Sequence, residues 1–345
     1  MEKIQLYSSL PPHNSSKDYL SDVINIARLS EQSGFDGLLL FTNHHVLDPW
    51  VMASVVLSNT EKLIPLIAAQ PYMLPPFTAA KMIQSLNYLY NRRININLLS
   101  GSRESELKEV NAMLADKSAR FNRLEEYTTI LREILVSKLP VVYEGEYYKL
   151  QGLHISPIIT EEQMPVFFVA GNSSEAISSA QKYGDVTLFR PEPFNIFEKF
   201  YVEKIMGSKI RIAIRISIIT RPTSAEAWDV AESRFPSDKD GLTRTRVRKN
   251  SSASNTRTMA NLALKQEVYD DVFWMGAFLR GKSSDPYLVG SYEEVALYLA
   301  QYINLGVKIL LIGDLFSEEQ FYHFNNMWEC LWINRHSSEF QENGF

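Results

Sequence analysis

The stretch VFFVAGNSSEAISSAQKYGD, residues 166–185, decides the fold. Its first five residues are apolar and indicate a buried strand, Val166–Ala170. The tetrad Gly-Asn-Ser-Ser follows as a turn, and Ser174–Tyr183 then has the spacing of an amphipathic helix. A strand that passes through a short turn directly into a helix is the repeating unit of α/β proteins. A protein of this class should repeat the pattern along the rest of its chain.

The strand and helix pattern recurs eight times. The predicted strands are Ile4–Ser8, Gly37–Thr42, Leu63–Ala69, Ile94–Leu99, Val166–Ala170, Val186–Phe189, Ile210–Ile219 and Val307–Ile312. Helical spacing is found at Ser16–Ser33, Thr78–Tyr90, Arg120–Val136, Ser174–Tyr183, Ala225–Phe235 and Tyr292–Leu305. Strands buried on both faces and separated by helices predict a parallel (β/α)8 TIM barrel. A doubly wound sheet is the alternative, but Leu6–Ser16 contains no glycine for a dinucleotide fingerprint.

Composition narrows the class of protein. The chain has 345 residues, of which 45% are hydrophobic and 22% charged, and its net charge is −5. This predicts one large domain that acts on a small molecule, with neither nucleic acid nor a membrane as partner. Cys330 is the single cysteine, so disulfides and thiolate metal clusters are not expected. Since no signal peptide or run of ~20 apolar residues is found, a cytoplasmic protein is expected.

Two segments exceed a minimal barrel. Val141–Pro157 alternates tyrosines with polar residues around Glu144-Gly145 and predicts a hairpin insertion. Pro236–Asp285 is rich in Ser, Thr and Asn, and it concentrates the basic residues Arg244, Arg246, Arg248, Lys249 and Arg257. This second insertion is either a solvated loop or a mobile lid over the barrel mouth, where loops of this fold carry function.

The turn after the fifth strand suits an anion. Gly171 lets the backbone approach a ligand, while Asn172, Ser173 and Ser174 bring the free N–H groups of a first helical turn and two hydroxyls. A phosphate would fit there. A serine that only caps the helix is an equally good interpretation, because serine is a common N-cap residue.

Two strands carry polar side chains on the face predicted to line the barrel. In Ile210–Ile219 the isoleucines occupy alternate positions, which leaves Arg215 and Ser217 on the opposite face. In Ile94–Leu99 the equivalent polar pair is Asn95 and Asn97. A buried guanidinium requires an anion, and that anion is either a ligand or the carboxylate of a structural ion pair. Polar residues on two strands of one barrel favour a site.

Two histidines follow the second strand in FTNHHVLDPW. His44 and His45 are adjacent, so on extended backbone they point in opposite directions and only one can enter the cavity. A shared metal is therefore not expected. His44 is the first candidate for proton transfer, and a surface histidine is the other interpretation.

Six stretches carry a family resemblance. They are SGFDGLLLFTNHHVLDPWVMAS, KLIPLIAAQPYMLPPFTAAKMIQSLNYLYNRRININLLSG, ARFNRLEEYTTILREIL, PVFFVAGNSSEAISSAQKYGD, KIRIAIRISIITRPTSAEAW and FLRGKSSDPYLVGSYEEVALYLAQYINLGVKILLIG. In this order, nearly the whole chain resembles the bacterial luciferase-like flavin-dependent monooxygenases, and among them it is most similar to the alkanesulfonate monooxygenases.

The resemblance implies a two-component enzyme. Reduced FMN comes from a separate NAD(P)H:FMN reductase and reacts with O2 to form a peroxyflavin, which oxidises a small organic substrate such as a sulfonate, ketone or aldehyde. The enzyme would be a homodimer or homotetramer. Rival interpretations are a deazaflavin-dependent oxidoreductase of the same fold and a non-catalytic flavin-binding relative.

The resemblance also implies roles for individual residues. Gly171, Asn172, Ser173 and Ser174 match the flavin phosphate site. Asn97 matches a polar residue that faces the flavin ring, and Ala68-Ala69 matches a place where the family often has a non-prolyl cis peptide. Arg215 and Arg280 match two active-site arginines, the second on the mobile lid, where they would stabilise an anionic group.

Several positions depart from the alkanesulfonate enzymes. Ser217 replaces a histidine, Asp314 a tyrosine and Val46 a reactive cysteine, which argues against alkanesulfonate specificity. Phe121 replaces a tyrosine that helps to hold the phosphate, a role that Arg120 or Arg123 would share. Arg190 replaces a tryptophan, so a more cationic substrate pocket is expected, with Arg190 and Ser217 as substrate residues.

Overall fold

A computed structural model describes residues 3–12, 18–101, 104–114 and 116–342 of the chain. Its strands are β1 Gln5–Ser9, β2 Gly37–Leu40, β3 Ile64–Ala69, β4 Asn95–Leu98, β5 Val141–Glu144, β6 Lys149–Leu153, β7 Phe167–Ala170, β8 Val186–Phe189, β9 Arg211–Arg221, β10 Val268–Tyr269, β11 Phe273–Trp274, β12 Tyr287–Ser291 and β13 Val307–Gly313. Its helices are α1 Tyr19–Gln32, α2 Pro49–Asn59, α3 Pro76–Tyr90, α4 Glu104–Glu109, α5 Lys117–Val136, α6 Ser174–Tyr183, α7 Phe194–Lys204, α8 Ser224–Arg234, α9 Lys239–Arg248, α10 Ser254–Lys265, α11 Gly276–Leu279, α12 Tyr292–Leu305 and α13 Glu318–Glu342.

The predicted (β/α)8 fold is confirmed. All eight predicted strands are present, as β1 to β4, β7 to β9 and β13, and helices separate them along the chain. The chain divides into two compact units. The β2–β8 unit comprises Ser9–Leu188 with Ser208–Arg211, and the β9–β13 unit comprises Met1–Ser8, Phe189–Gly207 and Ile212–Phe345.

The β2–β8 unit is built on five parallel strands in the order β2, β3, β4, β7, β8. Their residues are almost all buried, as expected for parallel strands covered on both faces. The register places Ala68 of β3 beside Asn97 of β4, and Asn97 beside Phe168 of β7. A polar residue therefore occupies the middle of an otherwise apolar row.

The β9–β13 unit centres on the long strand β9. The first part of β9 pairs in parallel with β13, with Arg215 opposite Leu311, and its second part pairs in parallel with β12. Strands β10 and β11 extend β12 in antiparallel fashion. Since β12 takes over where β13 ends at Gly313, the residues around Ser217 lie close to both strands.

Helix starts follow local chemistry. Asp48 caps α2 by accepting hydrogen bonds from the N–H groups of Trp50 and Val51, with Pro49 at the first helical position. Capping boxes begin α8 at Thr223 and α12 at Ser291. Within the residues that the structure covers, no helix combines the length and apolar character needed to span a membrane.

The insertion predicted at Val141–Pro157 contains the antiparallel pair β5 and β6. Glu126 of α5 holds the hairpin turn, because its carboxylate accepts hydrogen bonds from the N–H groups of Glu146, Tyr147 and Tyr148 at 2.8, 2.9 and 3.1 Å. A Cβ at Gly145 would meet the Glu126 carboxylate, so glycine is required at this close approach.

The segment Pro236–Asp285, interpreted from sequence as a loop or mobile lid, is largely helix and strand. It contains α9, α10, β10, β11 and α11, and its second half is core, since Phe273, Trp274 and Phe278 are almost fully buried. Thr245 of α9 is buried as well and donates a hydrogen bond to the carbonyl of Phe278. Tertiary packing thus overrides the weak helix propensity of this Ser/Thr/Asn-rich stretch.

Candidate active site

The predicted site residues fall into two clusters, one in each unit. The β2–β8 unit contains His44, Ala68, Asn97, Arg120, Gly171, Asn172, Ser173 and Ser174. The β9–β13 unit contains Arg190, Arg215, Ser217 and Arg280.

The turn between β7 and α6 has the predicted geometry of a strand that enters a helix. Ser173 is the N-cap of α6 and its hydroxyl accepts a hydrogen bond from the N–H of Ala176 at 3.3 Å, so the capping interpretation applies to this serine. Gly171 has φ +142°, and a Cβ there would lie 2.8 Å from the Cβ of Ala176. Asn172 keeps a buried side-chain oxygen without a hydrogen-bond partner.

Helix α5, which carries Arg120 and Arg123, begins close to the start of α6. Lys117, in the first turn of α5, pairs with Glu175 in the first turn of α6 at 2.8 Å, which brings the two helix starts together. Arg120 is only 6% exposed, yet its Nε has no hydrogen-bond partner, and Arg123 has the same deficit at Nε and Nη2. Among the described residues neither guanidinium forms an ion pair, an arrangement that is costly unless an anion binds.

Two tyrosines complete the surroundings of these arginines. Burial raises the pKa of Tyr148 to about 12, although the positive charge of Arg123 opposes that shift. The ring of Tyr148 lies 6.2 Å from that of Tyr127, whose buried hydroxyl has no hydrogen-bond partner. Burial lowers the pKa of Arg123, and the charge of nearby Arg120 acts in the same direction. Two like charges in one partly buried site favour an anionic ligand.

Strand β4 carries two asparagines, and the side-chain oxygen of one of them has no hydrogen-bond partner. Asn95 uses its side-chain oxygen to accept the N–H of Val166 at 3.0 Å, whereas the Asn97 oxygen is buried without a hydrogen-bond partner. Ala68 and Ala69 are buried beside it. The cis peptide expected between these alanines is not present; among the described residues, the one cis bond joins Ser156 and Pro157.

His44 and His45 diverge as expected for neighbouring residues. His45 is exposed, while the half-buried ring of His44 is held from both sides. Its Nδ1 lies 2.7 Å from a carboxylate oxygen of Glu109 and its Nε2 lies 3.2 Å from the hydroxyl of Tyr72. A histidine fixed between a carboxylate and a phenol is oriented for proton transfer.

The β9–β13 unit contains a buried carboxylate shared by two guanidinium groups. Asp285, 5% exposed, accepts a hydrogen bond from Arg190 Nε at 2.6 Å, and its other oxygen lies 2.9 Å from Arg215 Nε. Burial alone would raise the pKa of Asp285, but Arg215 and Arg190 outweigh it and hold the pKa below its ordinary value. Taken by themselves, Arg190, Arg215 and Asp285 carry one net positive charge.

Asp314 interacts with the charges of the same cluster, but its pKa is shifted in the opposite direction from that of Asp285. It follows β13 in a left-handed conformation at φ +59° and accepts a hydrogen bond from the buried Tyr287 hydroxyl. Burial, followed by the negative charge of Asp285, raises the pKa of Asp314 to about 6. Two neighbouring carboxyl groups therefore have pKa values shifted in opposite directions, a pattern frequent at functional sites.

Ser217 lies within this cluster. It is 1% exposed and its hydroxyl has no hydrogen-bond partner. A Cβ at Gly313 would lie 2.5 Å from that hydroxyl and 3.9 Å from a carboxylate oxygen of Asp285. The structure thus brings Arg190, Arg215 and Ser217 together around Asp285.

Arg280 is placed elsewhere, in a structural ion pair. Both terminal nitrogens contact Glu232, at 2.8 and 3.0 Å, and one contacts Glu267 at 2.7 Å. The guanidinium also lies 5.3 Å from the ring centre of Trp274. Burial would lower its pKa, but the two carboxylates raise it instead. Because its donors are engaged by these carboxylates, the catalytic role predicted for Arg280 has no support in the geometry.

The residues that sequence reasoning missed are Asp285, Tyr72 and Tyr148. Asp285 precedes Pro286 and the strand β12, and that strand is absent from the predicted set. Tyr148 lies in the turn of the hairpin insertion, which the carboxylate of Glu126 holds from α5. An isolated aspartate before a proline carries little signal in a sequence without a recognised strand after it.

Comparison with known proteins gives a consistent family. A profile described as luciferase-like monooxygenase matches residues 5–308. The 4-(gamma-L-glutamylamino)butanoyl-[BtrI acyl-carrier protein] monooxygenase BtrO of Niallia circulans is 41% identical over 333 residues, which cover 95% of this chain and 97% of the relative.

Solved structures show the same fold. EDTA monooxygenase EmoA from Chelativorans sp. BNC1 superposes with a TM-score of 0.76 at 16% identity, covering 97% of this chain and 94% of that one. An F420-dependent secondary alcohol dehydrogenase superposes with a TM-score of 0.65 at 17% identity, covering 95% and 99%. The named substrate of the 41% identical relative is not a sulfonate, so alkanesulfonate specificity is not shown. The profile match over most of the chain and this identity show that the protein is a monooxygenase of the luciferase-like monooxygenase family.

Proposed function

We propose that this protein is a two-component monooxygenase that uses reduced FMN from a separate reductase, together with O2, to oxidise an acidic acyl substrate held on a carrier protein. The cofactor assignment rests on one observation, the pair Arg120 and Arg123. Both guanidiniums are at least partly buried and form no ion pair with a described residue.

The turn between β7 and α6 would receive the phosphate end of FMN together with Arg120 and Arg123. A phosphate accepts several charge-assisted hydrogen bonds, and arginine is well suited to supply them. Glycine is required at position 171 because a Cβ there would lie 2.8 Å from that of Ala176, and the free backbone N–H groups at the start of α6 would donate to the phosphate. Asn97 and the small side chains of Ala68 and Ala69 would lie against the ring. Once bound, reduced FMN supplies the electrons with which one oxygen atom of O2 enters the substrate.

The chain's own residues would orient the substrate and transfer a proton. His44, fixed by Glu109 and Tyr72, would exchange a proton with the reacting group through Nε2. Arg190 and Arg215, which share Asp285, retain one unneutralised positive charge for an anionic group of the substrate. Ser217 adds a buried hydroxyl without a protein partner.

The carrier-bound acyl substrate is proposed from the name of the BtrO relative. A γ-glutamylamino acyl group ends in an α-carboxylate and an α-amine. The positive charges of Arg190 and Arg215 are complementary to the α-carboxylate of the substrate, and the negative charge of ionised Asp314 is complementary to its α-ammonium group. Both charges of an amino-acid end would thus find partners in the β9–β13 unit.

Two measurements test the proposal. Anaerobic titration should show tighter binding of reduced FMN than of reduced F420, and incubation under ¹⁸O₂ with an FMN reductase should add one labelled oxygen to a 4-(γ-glutamylamino)butanoyl carrier-protein thioester. Preference for F420, or dehydrogenation without oxygen incorporation, would replace the proposal with the deazaflavin alternative. Flavin binding without any product would indicate a non-catalytic relative.

A further inference from the structure

Positive charge is concentrated in one part of this acidic protein. Residues 241–265 contain six basic residues, Arg244, Arg246, Arg248, Lys249, Arg257 and Lys265, and no acidic residue. Because the whole chain has a net charge of −5 and this segment contributes +6, the remaining residues together carry −11. Such segregation produces a local positive potential on an otherwise negative protein.

Some of these basic side chains contact an acidic or aromatic residue of the protein, and others form no ion pair with a described residue. Arg244 pairs with Asp238 at 2.8 Å, and Arg248 stacks 5.0 Å from the ring centre of Phe278. In contrast, Arg246 and Lys249 are exposed and form no ion pair with any residue that the structure describes. Arg246 lies on α9 and Lys249, three positions later, is its C-cap residue in helical conformation, so the two side chains project from neighbouring positions of one face.

The exposed charges surround an apolar side chain. Val247, between Arg246 and Arg248, is 68% exposed. Arg257 of α10 donates a hydrogen bond to the carbonyl of Ser251, two residues beyond Lys249, which brings a further cation to the end of α9. Basic residues around an exposed aliphatic side chain match the polar rim and apolar centre of a protein-binding surface.

This surface is connected to the arginine cluster through two contacts. Arg248 donates a hydrogen bond to the carbonyl of Ser283 at 3.1 Å, and the hydroxyl of Ser283 accepts the N–H of Asp285 at 3.0 Å. Asp285 in turn binds Arg190 and Arg215. A partner bound on α9 would therefore contact a helix that is anchored to the loop carrying the shared carboxylate.

We propose that the α9 surface, formed by Arg246, Val247, Lys249 and Arg257, docks the acidic face of an acyl-carrier protein. The inference rests on the proposed function, which requires a carrier-bound substrate, and it names the surface that receives the carrier. Carrier proteins of this class are small and acidic, so charge complementarity favours them. A nucleic acid is disfavoured because the rest of the protein carries −11 and would repel it.

The test uses the double variant Arg246→Glu/Lys249→Glu and a matched control, Lys199→Glu/Lys204→Glu, which makes the same charge change on exposed positions of α7. The binding probe is BtrI, the carrier protein in the name of the relative's substrate, titrated in its holo form at low salt. Binding should weaken at least ~10-fold in the α9 variant and remain unchanged in the control. Equal affinities, or equal losses in both variants, would overturn the docking surface.

Turnover separates docking from chemistry. With the carrier-bound thioester, the α9 variant should have a KM at least ~10-fold higher and an unchanged kcat at saturation. With the same acyl group on free pantetheine, KM should match that of the unmodified protein, and an equal loss on this small substrate would overturn the proposal. If the unmodified protein oxidises neither substrate, the proposed function fails while the BtrI titration still decides the docking surface. Tight binding of duplex DNA by the same surface would assign it to a nucleic acid instead.

Discussion

Arg190 and Arg215 meet at one buried carboxylate: Arg190 Nε lies 2.6 Å from one oxygen of Asp285, and Arg215 Nε lies 2.9 Å from the other. The two arginines come from different positions of the chain, directly after β8 and within β9. Sharing a single anion neutralises only half of their charge. The pair is therefore both a structural contact and a remaining source of positive potential.

Arg215→Met should separate these two roles. Asp285 would keep Arg190 as partner, so the free energy of unfolding should fall by less than the ~3–5 kcal/mol of a broken buried pair. The kcat/KM should fall ~10²-fold because the substrate anion loses a cation. Asp285→Asn is the matched comparison and should show the full stability loss, since two guanidiniums would then face each other. Normal kcat/KM per folded molecule in Arg215→Met would leave Arg215 with a structural role only.

Asp314→Asn should change how stability depends on pH. The unfolded carboxyl releases its proton near pH 3.8 and the folded one near 6, so the unfolded state binds fewer protons between these values. The free energy of unfolding therefore falls as pH rises from about 4 to about 6, by at most about 3 kcal/mol. Because asparagine does not titrate, the Asp314→Asn variant lacks this part of the pH dependence.

Relative to the unmodified protein, Asp314→Asn should gain stability between pH 4.5 and pH 7.5, as measured by denaturant unfolding at both values. Asp285→Asn should show no comparable change over this range, because the folded pKa of Asp285 is lowered from 3.8 and its contribution to stability is already complete above that value. A stability difference for Asp314→Asn that does not change with pH would contradict the assignment.

His44→Gln and His45→Gln form a natural pair of neighbouring substitutions. His44 contacts Glu109 and Tyr72, whereas the side chain of His45 is exposed. Loss of proton transfer at His44 should reduce kcat by ~10²-fold or more, while His45→Gln should leave kcat unchanged. Steady-state turnover of both variants decides the matter, and equal rates would assign proton transfer to another group.

The strands were predictable and several helices were not. The eight buried strands follow from short apolar runs, because parallel strands covered on both faces need no polar alternation. Helix α2, PWVMASVVLSN, is apolar almost throughout and therefore lacks a 3.6-residue period to detect. Helix α9 is so polar that its sequence resembles a loop, and burial of Thr245 against α11 fixes it.

The sequence predicted the site only where a residue requires a particular environment, as a charged residue does in an apolar strand. A basic residue within the apolar strand β9 required a buried anion, which predicted a partner for Arg215 but not its identity. Asp285 lies 70 positions away and meets Arg215 only after β12 pairs with β9. The contacts of Arg280 were equally hidden in the sequence, since its partners are Glu232 of α8 and Glu267, which directly precedes β10.

Arg280→Met should behave as a structural variant. Its loss would remove the cation from Glu232 and Glu267, which are partly exposed, and the donor from the buried carbonyl of Phe235, so the free energy of unfolding should fall by about 1–2 kcal/mol. The kcat/KM per folded molecule should stay near normal, because the guanidinium donors are engaged by these carboxylates. Unfolding curves and turnover measured on one preparation test this, and a stable but inactive variant would restore the catalytic assignment.

Arg120→Met and Arg132→Met compare two arginines of the same helix, α5. Arg120 is buried without an ion-pair partner among the described residues, whereas Arg132 pairs with Asp185 at 2.9 Å and lies 4.4 Å from the ring centre of Phe167. Removing an unpaired buried cation should leave the FMN-free protein as stable or more stable.

The same substitution should weaken FMN binding by about 2 kcal/mol, because one charge-assisted hydrogen bond to the phosphate is lost. Arg132→Met should do the reverse, with lower stability and unchanged FMN affinity, since its charge is satisfied within the protein. Fluorescence titration with FMN and denaturant unfolding give both quantities. If both variants lost stability alone, Arg120 would be a structural residue and the FMN phosphate would have to bind without it.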